Sequence, residues 1–393
     1  MRDVRWHPDP AWARGALFQF LDHQRADGSL PRHVTVTGPT AANAPPTVDW
    51  GGALRAFADT ESDDAHVTLA WRALARHAEW LFASHDASGT GLIELHAPGE
   101  TDGAASPRFE AARLIACDAS AMGYTLCRVL ADLAPRAAAD AMPWNARADR
   151  IADAVRDQMW DEELGVFCDL DAATGRRMRV RAAAGFAPFA AGIARPGAVA
   201  RIAETLLDVR RFWTPFPVPS IAADEPSFDA YGEWNGVQVA RPQNGRMWPG
   251  ETAMVIDALV AAEPDGEGPL RRAAAQLLRR LVRSHFHDGE LHASSAHEHA
   301  NPLTGHPSVY RGVDECFAAW LVDLLLRHAA GVQPRGSELR IDPLPLDLDS
   351  LSLSGLRVRG RTVDVTIAAG RVCATIDGAA HETTIGEPVI LSY

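Results

Sequence analysis

The amino-acid sequence predicts an all-α toroid of paired helices followed by a small antiparallel β-unit. Segments with apolar residues three to four positions apart recur over most of the chain, and each predicts a helix with one buried face. Short turns alternate with long loops between these segments, as expected when helices pair around an axis and the long loops gather at one end. The C-terminal part instead alternates in twos, which is typical of strands.

The predicted helical segments are evenly spaced and amphipathic. They cover residues 11–24, 63–85, 116–134, 145–160, 196–208, 250–263, 269–286 and 313–331. Between the fifth and the sixth lies a loop over 212–250 that is rich in Gly, Pro, Trp and Asp. Loops of that length inside a compact domain are usually functional. We therefore expect this loop to contribute to a binding site.

The C-terminal residues 339–378 alternate between apolar and polar positions and are punctuated by glycine. This pattern predicts antiparallel strands joined by tight turns. Since no Pro/Gly/Ser linker precedes them, we expect the strands to pack on the helical body. The predicted organisation is a barrel domain over 1–335 and a β-rich unit over 336–393.

Composition narrows the function classes. The chain has 393 residues, 47% hydrophobic and 23% charged, with a formal net charge of -13. Nucleic-acid binding needs a concentrated basic surface, so we expect no nucleic-acid partner. The chain contains no lysine, and its basic residues apart from histidine are all arginine. Schiff-base chemistry and a P-loop lysine are therefore excluded.

Cysteine usage and apolar runs indicate the compartment. The cysteines are scattered without a C-x-x-C pair, which favours reduced, mostly buried thiols over a disulfide framework; they are Cys117, Cys127, Cys168, Cys316 and Cys373. The N-terminal stretch lacks the apolar core of a signal peptide, and no apolar run approaches bilayer length. The expected location is cytoplasmic, with no membrane partner. The oligomeric state stays open.

The stretch "HEHANPLTG" over 297–305 places Glu298 between two histidines and just before an Asn-Pro turn. Proline restricts the residue before it to extended geometry, so this glutamate is held on a loop rather than within a helix. Functional groups concentrate on such loops. Glu298 is either a catalytic carboxylate or a residue that caps the turn.

Six stretches in this order resemble one enzyme class: "SPRFEAARLIACDAS", "MWDEELGVFCDLDAATG", "GFAPFAAGIA", "FWTPFPVPSIAADEPSFD", "NGRMWPGETAMVIDAL" and "HEHANPLTG". Together they are similar to the inverting glycoside hydrolases built on an (α/α)6 barrel. That class includes trehalases, α-glucosidases of glycoside hydrolase family 63, and bacterial mannosylglycerate and glucosylglycerate hydrolases. The resemblance is to the compact bacterial type and covers about residues 10 to 330.

The resemblance implies hydrolysis of a small α-glycoside with inversion, without metal or cofactor. Such enzymes use two carboxyl groups about 6.5–9.5 Å apart, one protonating the leaving oxygen and the other activating water. The family's general base falls on Glu298. Its general acid, an aspartate, falls on Ala104 in "ETDGAASPRF", so the acid is missing at that position. Asp102 is the first candidate to replace it, with Asp49 and Glu100 behind, although an Asp before Gly is also a routine turn former.

The resemblance also implies substrate-contacting residues on the loops. A sugar site needs flat apolar platforms and hydrogen-bonding groups around them. Arg108 either grips a sugar hydroxyl or a carboxylate, or forms a structural salt bridge. The full set expected to bind substrate is Asp49, Trp50, Glu100, Arg108, Trp213, Phe216, Trp234, Asn244, Arg246, Trp248, His297 and Tyr310.

Two other reaction classes stay open. Histidines crowd the span 285–306, and histidine is the usual metal ligand and neutral-pH acid/base, but no matching ligand spacing for zinc accompanies them. Sugar epimerases on α/α barrels use paired histidines, so an isomerase is an alternative. A non-catalytic sugar-binding relative that lost its acid is another. A carboxyl facing Glu298 favours hydrolysis, and two facing histidines favour epimerisation.

Overall fold

The structure is a computed structural model and describes residues 2–96, 100–101, 103–111, 113–286, 297–307 and 319–392. Asp102 and Tyr310, which were expected in the site, lie outside the described residues. Within the described part, no helix combines the length and apolar character needed to cross a bilayer.

The helices fall close to their predicted positions, with two additions. They are α1 (Pro10–Leu21), α2 (Trp50–Ala58), α3 (Asp64–His85), α4 (Cys117–Leu133), α5 (Met142–Ala154), α6 (Ala187–Ala190), α7 (Pro196–Leu206), α8 (Pro249–Ala262), α9 (Pro269–Ser284) and α10 (Ala319–Leu324). Single π-helical turns at Val155–Met159 and Leu325–Ala329 continue α5 and α10. The helices α2 and α6 were not predicted.

Local sequence explains where the helices begin. Asp9, Asp49 and Asp63 each cap a helix by accepting a backbone N–H at 2.7–2.9 Å. Proline occupies the first turn of α1, α5, α7, α8 and α9, where its missing N–H has no intrahelical partner to lose. These starts fix the direction from which each long loop enters its helix.

Even-numbered helices form the inner ring of a toroid. Contacts run from α2 to α4, α4 to α6, α6 to α8, and α8 to α10. A cavity of about 150 Å³ on the axis is lined by the beginnings of these helices, including Asp49, Ala121, Ala187 and Met254. A second cavity, of about 560 Å³, is bordered by residues at the ends of α2, α4 and α10, namely Asp59, Asp132 and Asp323. The beginnings of α2, α4, α6 and α8 therefore lie together at one end of the toroid, which forms its mouth.

Strands are more abundant than an all-α barrel allows. They are β1 (Val34–Thr35), β2 (Gly38–Pro39), β3 (Glu94–His96), β4 (Arg113–Ile115), β5 (Trp160–Asp161), β6 (Val166–Phe167), β7 (Leu170–Asp171), β8 (Glu233–Trp234), β9 (Val237–Gln238), β10 (Val332–Arg335), β11 (Glu338–Ile341), β12 (Ser350–Val358), β13 (Arg361–Ala368), β14 (Arg371–Ile376), β15 (Ala379–Thr384) and β16 (Val389–Ser392). The first nine lie in loops of the helical region. The all-α label is therefore corrected, because the long loops fold into short antiparallel pairs.

The C-terminal strands form two antiparallel sheets, ordered β10-β11-β16 and β12-β13-β14-β15. Their apolar faces enclose a separate core that also takes in Trp6 from the N-terminal segment. Buried Arg271 of α9 donates to Asp342 at 2.8 and 3.1 Å and so ties this unit to the helices. The domain boundary predicted between residues 335 and 336 falls between the paired strands β10 and β11.

The thiols follow the prediction in the described part of the chain. Cys117, Cys127 and Cys168 are buried and free, and Cys373 is half-buried and free. Burial raises the pKa of Cys127 and of Cys168 to about 12, so both are neutral thiols. They act as small apolar side chains of the core.

Candidate active site

Arg108 lies at the mouth within a buried ion-pair cluster. Its guanidinium donates to Asp169 at 2.7 and 3.1 Å and to Asp118 at 3.0 and 3.1 Å. Burial opposes the positive charge, but the two carboxylates outweigh it and raise the pKa of Arg108. The guanidinium therefore holds protein carboxylates, which is the salt bridge that the sequence offered as the alternative to substrate binding.

The cluster also contains a group that could be mistaken for a metal site. The Sγ of Cys117 and carboxylate oxygens of Asp118 and Asp169 lie within 4.8 Å of one another. Burial, with Asp169 as the next cause, raises the pKa of the Cys117 thiol, so it is a poor metal ligand. The guanidinium of Arg108 bonds both carboxylates and supplies the positive charge they need.

Glu251 is a carboxyl group that the sequence motifs did not single out. It stands in the first turn of α8, and its Oε2 atom is buried without a hydrogen-bond partner among the described residues. Burial raises its pKa to about 8, with Arg108 acting to lower it and Asp118 to raise it. A glutamate that stays protonated at neutral pH is typical of catalytic acids. One feature of the sequence could have indicated that Glu251 is buried: the ten residues after it are apolar apart from one Thr and one Asp.

Glu298 is held on a loop that is tied to the beginning of α8. Two residues on, Ala300 exchanges both backbone hydrogen bonds with Met247, at 2.8 and 2.9 Å. The Asn301 side chain accepts from the N–H of Leu303 at 2.9 Å and closes the predicted turn. Glu298 itself is half-buried between two buried histidines. The loop is therefore fixed beside the helix that carries Glu251.

Arg246 and His299 hold this loop in place through buried hydrogen bonds. The Nε of Arg246 donates to Nδ1 of His299 at 3.0 Å, and its Nη1 donates to the carbonyl of Ala230 at 3.0 Å. Burial, followed by the charge of Arg246, lowers the pKa of His299 to about 3. The contacts of Arg246 in the structure are thus with protein groups, and its predicted contact with substrate stays a prediction.

Two of the histidines at this loop, His285 and His299, are poorly suited to proton shuttling. The ring of His285 lies 5.0 Å from that of His297 at a tilt of 37°, and its Nδ1 bonds the carbonyl of Leu281 at 2.8 Å. Burial lowers the pKa of His285, and that of His299 is lowered to about 3. A histidine acts best as acid and base when its pKa is close to the working pH. His287 and His292 lie outside the described residues.

The segment around Ala104, where the family has its general acid, pairs with the loop over 241–243 that precedes α8. The N–H of Ala105 donates to the carbonyl of Arg241 at 2.9 Å, and the N–H of Gln243 donates back at 2.8 Å. Ala104 is half-buried and carries no acidic group. Glu100 accepts from the N–H of His96 at 2.8 Å and so closes a turn.

Asp49 ends the loop before α2, and Trp50 is the first residue of that helix. Asp49 caps α2 through the N–H of Gly52, although its residue also borders the axial cavity. Trp50 is buried, and its ring contacts Phe20 and His77 at 5.6 and 5.8 Å. Trp50 therefore belongs to the core.

The predicted platforms have different surroundings. Trp213 is half-buried beneath the guanidinium of Arg280 at 4.9 Å, and Trp234 is half-buried in the β8–β9 hairpin. Asn244 is buried and donates to the carbonyl of Glu233 at 2.7 Å, which holds that hairpin. The structure therefore shows a structural contact for Asn244.

Two aromatic side chains lie directly at the Glu298 loop. Trp248 immediately precedes α8, and its ring is 5.0 Å from that of His299. The N–H of Phe216 donates to the carbonyl of Pro302 at 2.8 Å, and its ring packs against Gly305. Both stay candidates for the sugar platform.

Comparisons place this arrangement among known proteins. Residues 1–317 match the family model described as the mannosylglycerate hydrolase MGH1-like glycoside hydrolase domain. No curated protein sequence matches the chain. The fold is similar to the GH63 mannosylglycerate hydrolase from Thermus thermophilus in complex with glucose (19% identity, 83% of this chain and 90% of that chain, TM-score 0.65).

Two other structures with lower sequence identity have the same fold. One, named "Sialidase", shares 16% identity over 99% of this chain with a TM-score of 0.83, and this chain spans 36% of its length. The other is the neutral trehalase of Saccharomyces cerevisiae (15% identity, 79% of this chain and 67% of that chain, TM-score 0.57). At these identities the likeness shows the fold alone, that of the (α/α)6 glycosidases.

Proposed function

We propose that this chain, which belongs to the mannosylglycerate hydrolase MGH1-like glycoside hydrolase family, hydrolyses a small α-glycoside with inversion at the anomeric carbon. The substrate class follows from the family and from a site built on loops at the mouth of a barrel. Mannosylglycerate and glucosylglycerate are the first candidates, followed by neutral α-glycosides of similar size. The reaction needs two carboxyl groups and a water molecule, and no metal or cofactor takes part in it.

In this proposal Glu298 is the general base. It removes a proton from water as the oxygen attacks the anomeric carbon from the face opposite the leaving group. The observation that carries the assignment is the position of Glu298: half-buried, between two buried histidines, on a loop paired to the beginning of α8. A base must be held within hydrogen-bond reach of its water, and a backbone fixed at Ala300 supplies that rigidity.

Glu298→Gln tests this function. The substitution keeps the shape and removes the basic charge, so turnover should fall by about 10³-fold or more, while glucose binding measured by calorimetry stays within about threefold. The panel contains mannosylglycerate, glucosylglycerate and aryl α-glycosides. Glu233→Gln, an exposed glutamate on the hairpin of the long loop, is the matched control and should keep full turnover.

Undiminished hydrolysis in Glu298→Gln would remove the base assignment. Isomerised sugar without glycoside cleavage would overturn the hydrolase proposal and favour epimerisation. Sugar binding with no turnover by the wild-type protein on the whole panel would point to a binding protein instead.

A further inference from the structure

We propose that Glu251 is the general acid of this enzyme and does the work of the carboxyl group that Ala104 lacks. The inference rests on the proposed function, because a general acid has a role only if the glycosidic bond is hydrolysed. It concerns a residue that neither the sequence motifs nor the resemblance assigns.

Helix geometry directs Glu251 to the axis of the barrel. Residues three and four apart share one face of a helix, and Met254 and Asp257 follow Glu251 at three-residue steps along α8. Both line the axial cavity. Glu251 continues this stripe by one turn toward the mouth, where the N-terminal ends of the inner helices meet.

Asp118 occupies the equivalent place on α4. Ala121 and Thr125 follow it at steps of three and four residues and line the same cavity. Asp118 and Glu251 therefore face the axis at the same level, and their charges interact. Two carboxyl groups with different surroundings thus stand at the mouth on helices α4 and α8, which flank α6 in the inner ring.

Hydrogen bonding decides which of the two keeps its proton. Asp118 receives two bonds from Arg108, so its negative charge is compensated. The Oε2 of Glu251 is buried without a partner, and the charged groups that face it among the described residues are Arg108 and Asp118. Arg108 already bonds two carboxylates, so its effect on Glu251 is smaller than that of burial. Burial therefore raises the pKa of Glu251, which keeps its proton at neutral pH.

The start of α8 also links Glu251 to the proposed base. Met247, four residues before Glu251, pairs with Ala300, two residues after Glu298. The loop over 241–243 that leads to this point pairs with Ala105, next to the missing acid. The expected acid position, Glu251 and Glu298 therefore border one rim.

The proton movements balance in one step. Glu251 gives its proton to the glycosidic oxygen as the bond between that oxygen and the anomeric carbon breaks. Water forms the new bond to the anomeric carbon and gives a proton to the carboxylate of Glu298. The products are the free sugar and the alcohol, with Glu251 ionised and Glu298 protonated, and exchange with solvent restores both groups.

The test compares Glu251→Gln with Asp102→Asn on two leaving groups. An alkyl aglycone such as glycerate needs protonation as it leaves, whereas 2,4-dinitrophenolate hardly does. For Glu251→Gln, kcat/KM on the glycerate substrate should fall about 10²–10⁴-fold, and on the dinitrophenyl glycoside less than about tenfold. Asp102→Asn should change both substrates by a similar small factor.

The pH profile gives a second readout. With wild-type protein kcat/KM should fall as the pH rises through about 8, because the acid is then ionised, and this alkaline limb should disappear in Glu251→Gln. Burial also raises the pKa of Asp3 to about 7, so the infrared spectra are compared as a difference. The wild-type minus variant spectrum at pH 7 should show the carbonyl stretch of one further neutral carboxyl group, that of Glu251. This spectrum needs no substrate.

The outcomes separate the two proposals. Equal losses on both leaving groups for Glu251→Gln, or a selective loss in Asp102→Asn, would overturn the acid assignment while the hydrolase stands if Glu298→Gln is inactive. An ionised Glu251 at pH 7 would overturn the assignment directly. Failure of the wild-type protein to cleave any glycoside would overturn the proposed function and this inference with it.

Discussion

Replacing Arg108 with methionine should destabilise the protein strongly, because the guanidinium neutralises two carboxylates inside the mouth. Methionine has a similar length and no charge, so the change removes four hydrogen bonds of 2.7–3.1 Å with little loss of volume. The Asp169 side chain is 3% exposed and that of Asp118 is 18% exposed. Solvent therefore replaces the lost partner poorly at Asp169.

The magnitude follows from that burial. Removing one partner of a buried ion pair leaves an uncompensated charge and costs about 3–5 kcal/mol. Asp169 keeps one bond, from the N–H of Cys117 at 2.9 Å, so we expect the lower half of this range. Adding Asp169→Asn to Arg108→Met should recover part of the loss, because the stranded charge is then gone.

Urea unfolding followed by circular dichroism measures these differences. Arg371→Met is the control: it breaks an exposed pair with Glu382 at 2.7 Å, whose side chains are 72% and 63% exposed, and should cost less than about 1 kcal/mol. Equal losses for Arg108→Met and the control, or no recovery with Asp169→Asn, would refute the account of the cluster.

Two further changes test the loop and the buried histidines. Gly305→Ala should cost about 1–3 kcal/mol more than Gly192→Ala and lower kcat: both glycines have a φ near +77°, but only at Gly305 would a Cβ meet another side chain, the ring of Phe216 at 2.7 Å. Equal unfolding energies would contradict the steric argument. His77 has its pKa lowered to about 4 by burial, so the unfolded chain takes up the proton first as the pH falls from 6.5. The free energy of unfolding, measured by urea titration, should therefore fall by up to about 3 kcal/mol between pH 6.5 and pH 4 because of His77. In His77→Gln this fall should be smaller. Parallel pH curves for the variant and the wild type would refute the role of His77.

Helix positions could be predicted from the sequence where the apolar period is long. The segment 63–85 corresponds to Asp64–His85 almost residue for residue. The helix Trp50–Ala58 was missed because Gly51 and Gly52 lower its helix propensity. Gly51 is required there by packing: a Cβ would lie 2.6 Å from the backbone N of Leu126. Contacts between distant parts of the chain thus override a local preference.

The site was harder to predict than the fold for the same reason. Arg108 and Arg246 look like ligand-binding arginines in the sequence, but their partners Asp169 and His299 lie 61 and 53 residues away. In the sequence Glu251 looks like an ordinary glutamate of the first helical turn. Its Oε2 atom becomes buried only when the other helices of the toroid pack around it, and the sequence does not show this. The contacts of these residues therefore could not be predicted from the sequence, because they form only when distant parts of the chain meet at the mouth.

The proposed cleavage of an α-glycoside with inversion requires two carboxyl groups at the mouth of the barrel. Proton NMR of the first sugar released from mannosylglycerate or another cleaved α-glycoside tests it most directly, before the anomers interconvert. The account predicts the β-anomer as the first product. An α-anomer would show retention of configuration and contradict the single-displacement mechanism assigned to Glu298 and Glu251.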